Sequence, residues 1–600
     1  MTKAGASDAS TAREPRDAWL THSAWLSERV LLVLGRIPRR GRTQPRVAVG
    51  ALRAEGVTAI PYATGTEKSS TGAPTALVAR FAARDTGVAA GAVTVEIGGA
   101  TLELDGRAQS VRDVLREGLA WLDPGERGRL VDAIGEAARP ADDPSLGDGL
   151  HLVREALRER LPACVLDPSR SRCVHVDALT SIDSTAFYIE GWALSFGEPI
   201  DRLTAVSPEG MRIELTDRMH WYERPDIGSF ALSGGRTAPA RPGFLCFFET
   251  PHPSERSEGW IIEMVDAAAV GIEAPAPPVI RDPEAARSML LGDLVLETRV
   301  EERLRADHLR PALTRLLDRQ RSEAVVDRVL QFGEPPADPA ASIVVPLYGR
   351  IDLLEHQMLE FVHDPELLAA DLVYVLDSPE LAPALEGYAQ QLARLYRVPF
   401  RVALMRANGG FSRANNLGAE LARGRHLLLM NSDVIPDRPG WLGGLSAVLD
   451  ADATVGAVAP KLLYEDGSIQ HAGLYFERAA GAEVWTNEHY FKGMHGDLPE
   501  ACVSRVVPAV SAACMMLRRD QYLELGGLRG IFVQGDYEDS DLCLRLADAG
   551  LRSWYQADVE LFHLEGQSYP SAMRQATGAY NKWLHTHLWD ERISARTDGS

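Results

Sequence analysis

Strand-like and helix-like segments alternate strictly from residue 341 onward, and this alternation restricts the fold more than any other feature. The strand-like segments are short, apolar and rich in branched residues: SIVVPLY, DLVYVLDSP, FRVALMR and HLLLMNSD. Amphipathic segments such as RIDLLEHQMLEFV and ELAPALEGYAQQLARLY lie between them. Strands that alternate with helices predict a mostly parallel sheet with right-handed crossovers. We therefore predict an α/β domain of nucleotide-binding architecture over residues 341–600.

The fourth of these strands ends in polar residues. In LLLMNSDVIP, four apolar residues precede Asn431, Ser432 and Asp433, and a proline closes the segment. An apolar run that ends in this way indicates a buried strand that reaches a surface. Open α/β sheets bind their ligands in the crevice at the carboxyl ends of the strands. We therefore expect a ligand site at residues 431–433.

Between about residues 340 and 570, eight segments occur in the order that they have in one enzyme family. They are SIVVPLYGR, VLDSP, NGGFSRANNLGAELARG, LLLMNSDVIP, GAVAPKLLYEDGSIQHAG, VSAACMMLRRDQYLELGGL, YEDSDLCLRLADAGLRSWY and LFHLEGQS. This part of the chain resembles the family 2 inverting glycosyltransferases with the GT-A fold. One such segment would be a weak indication, whereas eight in register are specific. The resemblance implies a glycosyltransferase whose donor is a nucleotide sugar.

The resemblance also implies a divalent cation, Mg²⁺ or Mn²⁺, which would neutralise the donor diphosphate. The family's strand ends in an Asp-x-Asp motif whose last acid binds the metal, so Asp433 is the implied ligand, together with His563. Asn431 stands at the position of the first acid. One or two protein carboxylates are enough for Mg²⁺ when phosphate and water supply the other ligands. Taken alone, Asp433 would more often cap the following segment.

Further residues are implied to bind the nucleotide sugar. Asp377 ends the second strand, where the family holds the base and ribose. In NGGFSRANN, the glycines allow close backbone approach to a ligand and Arg413 supplies positive charge for phosphate. Taken alone, the glycine pair would more often be a plain turn before a helix. The full implied set is Pro346, Asp377, Gly410, Arg413, Asn415, Asn431, Ser432 and Ser568.

A second acidic cluster opens the amphipathic segment YEDSDLCLRL. An inverting transfer needs one carboxylate that takes the proton of the acceptor hydroxyl. By resemblance, Asp539 is this base and Glu538 contacts the acceptor, whereas Asp541 holds the local helix or Arg545. The alternative is that acids in a first helical turn interact only with the helix dipole.

The segment EVWTNEHYFKGMHG carries the aromatic residues Trp485, His489 and Tyr490. Aromatic rings suit the C–H faces of sugars, so these residues could form a lid over the site. Exposed loop aromatics that pack on a neighbouring part of the protein are an equally good explanation.

The first 335 residues lack the alternation of the last domain. Residues 1–18 are small and polar and predict a disordered tail. Residues 19–160 predict a β-rich module with a helical end, and residues 161–330 predict a β-sandwich-like module with a helical segment. Residues 331–340 are rich in proline and aspartate and predict a linker. We expect these modules to be non-catalytic, and we expect the last domain to fold without residues 1–335.

Charge and composition exclude several other functions. The 63 Lys and Arg residues against 84 Asp and Glu give a formal charge of −21, which disfavours nonspecific binding to nucleic acid. The six cysteines form no CxxC pair and predict reduced core thiols. No segment approaches the roughly 18 apolar residues of a transmembrane helix, and no signal peptide is recognisable. We therefore predict a cytoplasmic protein, which partners could bring to the inner face of a membrane.

These observations predict a metal-dependent inverting glycosyltransferase for polysaccharide biosynthesis. Its acceptor would be a glycan, or a lipid-linked or protein-linked carrier; the sugar, the nucleotide, the linkage and the oligomeric state stay open. The main alternative is a catalytically idle GT-A scaffold with a carbohydrate-binding or assembly role, which the asparagine at position 431 favours. A nucleotidyltransferase ranks third, because PLYGRID offers no glycine-rich phosphate loop.

Overall fold

A computed structural model describes residues 161–296, 302–564 and 571–597 and short stretches before residue 161 (19–26, 30–37, 45–49, 52–61, 73–80, 93–97, 100–104, 129–130, 133–134 and 136–138). The predicted tail at residues 1–18, most of the predicted helical end of the first module and Ser568 lie outside these residues. The chain divides into two compact units, Met1–Arg281 and Asp282–Ser600. The division therefore falls about 50 residues before the predicted linker at residues 331–340.

The described residues of the first unit form four antiparallel sheets of four strands each. Before residue 161, the strands in sheet order are Trp19–Trp25, Val30–Ile37, Ala73–Arg80 and Gly56–Pro61 in one sheet, and Leu52–Arg53, Arg46–Val49, Val93–Ile97 and Ala100–Leu104 in the other. The two sheets share one core, since Leu31 and Leu77 of the first and Val47 and Val95 of the second belong to one buried cluster.

The other two sheets lie between residues 161 and 281. One contains His220–Tyr222, Gly243–Glu249, Ala186–Ser195 and Arg172–Ser181, and the other contains Arg212–Glu214, Ile200–Val206, Ile261–Asp266 and Gly271–Pro275. Phe187 and Phe244 from the first and Leu203 and Ile262 from the second belong to one buried cluster. The helices of this part are Thr216–Arg218, a 3₁₀ turn, and Pro225–Ser233.

The second unit is built on an eleven-stranded sheet. Its main path runs Val326–Phe332, Phe400–Met405, Asp371–Leu376, Ala341–Leu347, His426–Met430, Cys514–Arg518, Val455–Leu463, Arg552–His563 and Val434–Pro436. Ile469–His471 and Arg505–Val507 pair at the side of this path, and Leu474–Glu477 pairs separately with Thr486–His489. Val344 and Val373 belong to one buried cluster and Ile343 and Leu372 to another, so both faces of the central strands are covered. Burial on both faces explains why these strands are continuously apolar.

The prediction of a mostly parallel sheet is correct only for its first part. The strands at residues 341–347, 371–376, 400–405 and 426–430 pair in parallel, as their alternation with helices predicts. Cys514–Arg518 then pairs antiparallel with two neighbours, so the whole sheet is mixed. The strict alternation of strands and helices does not continue to the end of the domain. After residue 463 the chain forms short strands and turns instead of further strand–helix repeats.

Helices cover the sheet of the second unit. Their bounds are Pro283–Leu296, Leu304–Leu309 (π-helical), Arg310–Glu323, Leu353–Phe361, Pro365–Leu368, Pro379–Leu381 (3₁₀), Ala382–Tyr396, Gly410–Leu421, Trp441–Ala451, Pro499–Cys502 (3₁₀), Arg519–Glu524, Glu538–Asp548 and Ser571–Thr597. Nowhere in the described part of the chain is a helix long and apolar enough to span a membrane. All six cysteines are free thiols, and Cys502 is the exposed one.

Candidate active site

A cavity of about 480 Å³ opens at the carboxyl ends of the central strands. Nine of the twelve predicted site residues line it: Pro346, Asp377, Gly410, Asn431, Ser432, Asp433, Glu538, Asp539 and His563. They come from four strand ends and two helix starts that are up to 217 positions apart in sequence, since 563 minus 346 is 217. The parallel strands bring the first of these groups together because their carboxyl ends share one edge of the sheet.

Asp433 and His563 lie side by side because of strand pairing. Val434 is opposite His563 in the antiparallel ladder between Val434–Pro436 and Arg552–His563, and the Leu564 N–H donates to the Asp433 carbonyl at 3.0 Å. The His563 Nε2 is therefore 3.3 Å from the Asp433 Oδ1. Both side chains are nearly buried.

The turn at residues 431–433 is fixed by Gln357 of the helix Leu353–Phe361. This buried amide donates to the carbonyls of Asn431 and Val434, at 3.0 Å each. The Asn431 Oδ1 is buried and has no hydrogen-bond partner. Gln357 carries no sequence signal of this role, because glutamine on an amphipathic helix is usually exposed.

Asp433 and His563 form a two-residue donor set for a metal. Among the residues that the structure describes, no group of three or more His, Cys, Asp or Glu side chains is arranged to hold an ion. The pair fits Mg²⁺ or Mn²⁺ nonetheless, because these hard cations take one or two protein ligands and complete their coordination with phosphate and water. A site of this kind needs the substrate to complete it.

Glu538 and Asp539 begin the helix Glu538–Asp548, where both line the cavity. The Asp539 carboxylate accepts hydrogen bonds from the N–H groups of Ser540 at 2.7 Å and Ala512 at 3.3 Å. The Glu538 side chain is buried, and its Oε2 has no partner. The helix start thus presents one carboxylate that accepts from two backbone N–H groups and one whose Oε2 has no partner.

The surroundings of Glu538 and Asp539 change the pKa values of both carboxyl groups. Burial raises the pKa of Asp539 to about 6, against the opposing effect of its backbone donors. Burial, with the nearby Asp539 charge, raises the pKa of Glu538 well above its ordinary value. Two carboxyl groups whose environments separate their pKa values can serve as base and as hydrogen-bond donor at the same pH. With a pKa of about 6, Asp539 is mostly ionised at neutral pH, and burial favours the protonated form of Glu538.

The four residues before this helix have an unusual backbone. Gln534, Gly535, Asp536 and Tyr537 have φ angles of 64°, 125°, 74° and 77°. A residue other than glycine in the left-handed region costs about 1 kcal/mol or more and persists only where its surroundings fix it. The segment leads directly into the two carboxylates, so its conformation determines where they lie.

The Asp377 carboxylate is bound within the protein, by donors of the turn at residues 408–410. Its carboxylate accepts from the N–H groups of Gly409 at 2.6 Å and Gly410 at 2.9 Å and from the Asn408 side chain at 3.0 Å. Burial raises its pKa to about 7. Gly410 has a φ of 77°, which favours glycine. Asp377 therefore fixes the start of the helix Gly410–Leu421, and it lines the cavity as part of that turn.

Arg413 and Asn415 are not among the described residues that line the cavity. The Arg413 Nε donates to the Ala324 carbonyl at 3.0 Å, and the buried Asn415 donates to the Phe411 carbonyl within its own helix. Each side chain thus makes at least one contact within the protein, and the phosphate and nucleotide contacts that the motif implied stay predictions. Ser568 lies outside the described residues. Asp541 pairs with Arg545 at 2.9 Å, as predicted.

The aromatic residues of the predicted lid separate into two groups. Trp485 is buried, donates from Nε1 to Asp590 at 2.9 Å and lies under the Arg478 guanidinium at 4.3 Å from its ring centre. Tyr490 contacts Tyr475 with ring centres 4.8 Å apart. Packing is therefore the correct alternative for these two. His489 does line the cavity and lies 3.0 Å from the buried His471.

Sequence reasoning missed one wall of the cavity. Leu317, Gln320 and Arg321 of the helix Arg310–Glu323 line it together with Arg287. The Gln320 amide donates to the Asn408 Oδ1 at 2.8 Å, so this helix reaches the turn that Asp377 fixes. Nothing in the sequence marked these residues, because their segment reads as a plain amphipathic helix.

Comparisons with known proteins support the predicted family. The family model described as glycosyltransferase-like family 2 matches residues 339–581 and confirms the domain predicted for the C-terminal part. The O-antigen biosynthesis protein RfbC of Myxococcus xanthus is 30% identical over 268 residues, which cover 41% of this chain and 19% of that protein. An uncharacterized protein of Sinorhizobium fredii is 29% identical over 231 residues, 38% of this chain and 25% of that protein. The chain thus spans a quarter or less of the length of these relatives.

Two solved structures show weaker likeness. One is GalNAc-T7 with UDP, GalNAc and Mn²⁺, at 15% identity and a TM-score of 0.34, covering 42% of this chain and 50% of that one. The other is a mannosyltransferase of Pyrobaculum calidifontis with GDP-mannose and Mn²⁺, at 15% identity and a TM-score of 0.30, covering 50% of this chain and 72% of that one. At these TM-scores the likeness carries no argument about substrate or mechanism.

Proposed function

We propose that the glycosyltransferase family 2 domain at residues 339–581 makes this protein a metal-dependent inverting glycosyltransferase. It moves a sugar from a nucleotide-sugar donor to a hydroxyl group of an acceptor. The observation that carries this proposal is that one cavity is lined by both the Asp433–His563 pair and the Glu538–Asp539 pair. The first pair suits the diphosphate side of the donor, and the second suits the hydroxyl of the acceptor.

The reaction is a single displacement at the anomeric carbon. The Asp539 carboxylate takes the proton of the acceptor hydroxyl as its oxygen forms a bond to that carbon. The bond from the carbon to the diphosphate oxygen breaks, and the nucleoside diphosphate leaves with the electron pair. Glu538, whose protonated form burial favours, orients the acceptor. Because attack and departure occur on opposite faces, the configuration inverts.

The nucleotide-sugar donor would be bound at the Asp433–His563 pair. Asp433 and His563 would hold Mg²⁺ or Mn²⁺, which when bound supplies positive charge to the leaving diphosphate. Asn431, Ser432 and Pro346 line the same part of the cavity and are proposed to contact the sugar nucleotide. Asp377 acts here through the Gly409–Gly410 turn that it fixes.

The acceptor is proposed to be a glycan, or a lipid-linked or protein-linked carrier. The support is that one relative, RfbC of Myxococcus xanthus, is an O-antigen biosynthesis protein. A cytoplasmic location, with partners that bring the protein to the inner face of a membrane, agrees with this acceptor class. A donor screen that detects release of nucleoside diphosphate from the purified chain, with candidate acceptors, tests the proposal and identifies the sugar.

Replacement of Asp433 by asparagine should abolish metal-dependent donor binding. Asparagine keeps the shape and removes the charge, so a cation held by only two protein side chains loses its main attraction. We expect calorimetry with nucleotide sugar and Mn²⁺ to show binding for the wild type and none for Asp433→Asn. Asp437→Asn, an exposed change four residues later, is the matched control and should bind normally. Equal binding by Asp433→Asn would contradict the assignment.

The acidity of Asp539 predicts the pH dependence of the reaction. The base must be ionised, and burial raises its pKa to about 6. The turnover number should therefore fall as the pH is lowered through about 6, roughly ten-fold for each further pH unit. An unperturbed aspartate would place this fall near pH 4. A profile at saturating donor that stays flat down to pH 5, with the fold intact by circular dichroism, would be inconsistent with Asp539 as base.

The idle scaffold remains the second candidate. The observation that favours it is the small donor set: asparagine replaces the first acid of the metal motif, and no larger metal-binding group occurs among the described residues. In that case, calorimetry would detect no metal-dependent binding of any candidate nucleotide sugar. The donor screen would then also show no release above a protein-free control.

A further inference from the structure

The strained segment at residues 534–537 needs an external support. Its four consecutive positive φ angles are unfavourable for three of its residues, and it lies between a buried Val533 and the Glu538–Asp539 pair. Such a conformation persists only where neighbouring groups fix it. Two side chains of the last helix, Ser571–Thr597, contact the ends of this segment.

Asn581 of this helix binds the backbone of the segment with both ends of its amide. Its Oδ1 accepts from the Val533 N–H at 2.9 Å, and its Nδ2 donates to the carbonyls of Val533 at 3.0 Å and Gly535 at 2.5 Å. The Asn581 side chain is fully buried. Three hydrogen bonds from one buried amide fix the backbone on both sides of Gln534.

His585, one turn further along, holds the other end of the segment. Its Nε2 is 3.1 Å from the Ser540 Oγ, and its ring centre is 5.1 Å from that of Tyr537. The Ser540 hydroxyl donates to the Tyr537 carbonyl at 3.1 Å and accepts from the Asn487 amide at 2.7 Å. Because the serine has one proton to give, the histidine must donate from Nε2. Burial lowers the pKa of His585 to about 3, which agrees with a neutral ring.

We propose that the last helix acts as a clamp on residues 533–540 and that Asn581 and His585 are positioning residues for the catalytic carboxylates. The clamp reaches Asp539 through the backbone, since the N–H of Ser540 donates to the Asp539 carboxylate. The match to the family model ends at residue 581, so His585 lies beyond it. The catalytic part of this inference rests on the proposed function, whereas the clamp itself is independent of it.

The test compares Asn581→Ala and Asn581→Asp with the wild type in the full chain. Asn581→Asp keeps the volume and the contact to the Val533 N–H, but it places an oxygen against two carbonyls. We expect the turnover number to fall by about 100-fold, as for a small misplacement of reacting groups, with an unchanged KM for the donor. A variant that lost only stability would change neither constant at a temperature where it is folded. Hydrogen exchange of the amides at residues 533–540 should become faster in both variants.

Thr586→Val is the matched control on the same helix. Thr586 is also buried and accepts a hydrogen bond, but from the Trp485 N–H at 2.8 Å, away from the segment. It should keep the turnover number and the slow exchange at residues 533–540. If Asn581→Ala does not fold, the same measurements on Asn581→Asp and His585→Gln test the positioning role. If none of the three variants folds, the helix is a core element and the positioning role is rejected.

Normal turnover or unchanged exchange in a folded Asn581 variant would overturn the clamp. A wild-type chain that is inactive with every donor would reject the proposed function instead. The exchange measurement would still decide the clamp in that case, because it needs no activity.

Discussion

Asp539→Asn should reduce transfer by about 10²- to 10⁴-fold, the usual contribution of a general base, and leave donor binding unchanged. The base acts on the acceptor hydroxyl, so its loss lowers the turnover number without a change in the affinity for the nucleotide sugar. Calorimetry of the donor and a transfer assay on the same preparation would measure both quantities. Asp548→Asn, at the exposed end of the same helix, is the matched control and should stay active.

The loss of activity in Asp539→Asn should not result from unfolding. The folded-state pKa of Asp539 is raised to about 6, above the ordinary value of an aspartate, so the carboxyl is ionised at pH 8 at a cost to the folded state. That cost appears as the pH rises through about 6, and a neutral asparagine removes it. We therefore expect the Tm of Asp539→Asn at pH 8 to equal or exceed that of the wild type. Transfer at the wild-type rate would show that another group is the base.

The sequence predicts the central strands and the positions of the main site residues well. The strands at residues 341–347, 371–376, 400–405 and 426–430 are continuous apolar runs because both of their faces are buried. Their polar ends must then share one edge, which brings residues 346, 377 and 433 to one cavity. Local pattern and topology are sufficient for this part because each strand is followed by its own helix.

The other part of the site depends on contacts that the sequence does not mark. Gln357, Gln320 and Asn581 are polar residues on amphipathic helices, where polar residues are usually solvent-exposed. They are used here because each meets a backbone turn that comes from a distant part of the chain. Arg413 has a contact that its charge does not predict: its Nε donates to the nearby Ala324 carbonyl, and its contact with phosphate stays a prediction.

The strand Val326–Phe332 is a similar case, and it changes where the chain can be divided. Its first five residues belong to the helical segment predicted before residue 330, and its last two belong to the predicted linker. In the structure it pairs along its whole length with Phe400–Met405, and the Phe332 and Phe400 rings stack with centres 4.8 Å apart. The sheet of the second unit therefore includes residues before 335, contrary to the expectation from sequence.

Two truncations should behave differently for this reason. Removal of residues 1–335 takes away the edge strand, the helix Arg310–Glu323 that lines the cavity, and the buried Ala324. It exposes the apolar strand Phe400–Met405 as a new edge, which favours aggregation. We expect this protein to be insoluble, or to unfold without a cooperative transition. Removal of residues 1–281, at the division between the compact units, should leave a soluble protein with a cooperative transition by circular dichroism.

The shorter truncation then separates the role of the first unit from that of the catalytic unit. Without residues 1–281 all described cavity residues remain, since the first of them is Arg287, so slow hydrolysis of the donor should persist. If the β-rich modules position the acceptor, transfer to the native acceptor should fall while donor hydrolysis stays constant. Equal transfer by the truncated and full-length proteins would leave those modules a stabilising role only. A soluble, active protein that lacks residues 1–335 would show instead that neither the edge strand Val326–Phe332 nor the helix Arg310–Glu323 is needed for folding or for the cavity.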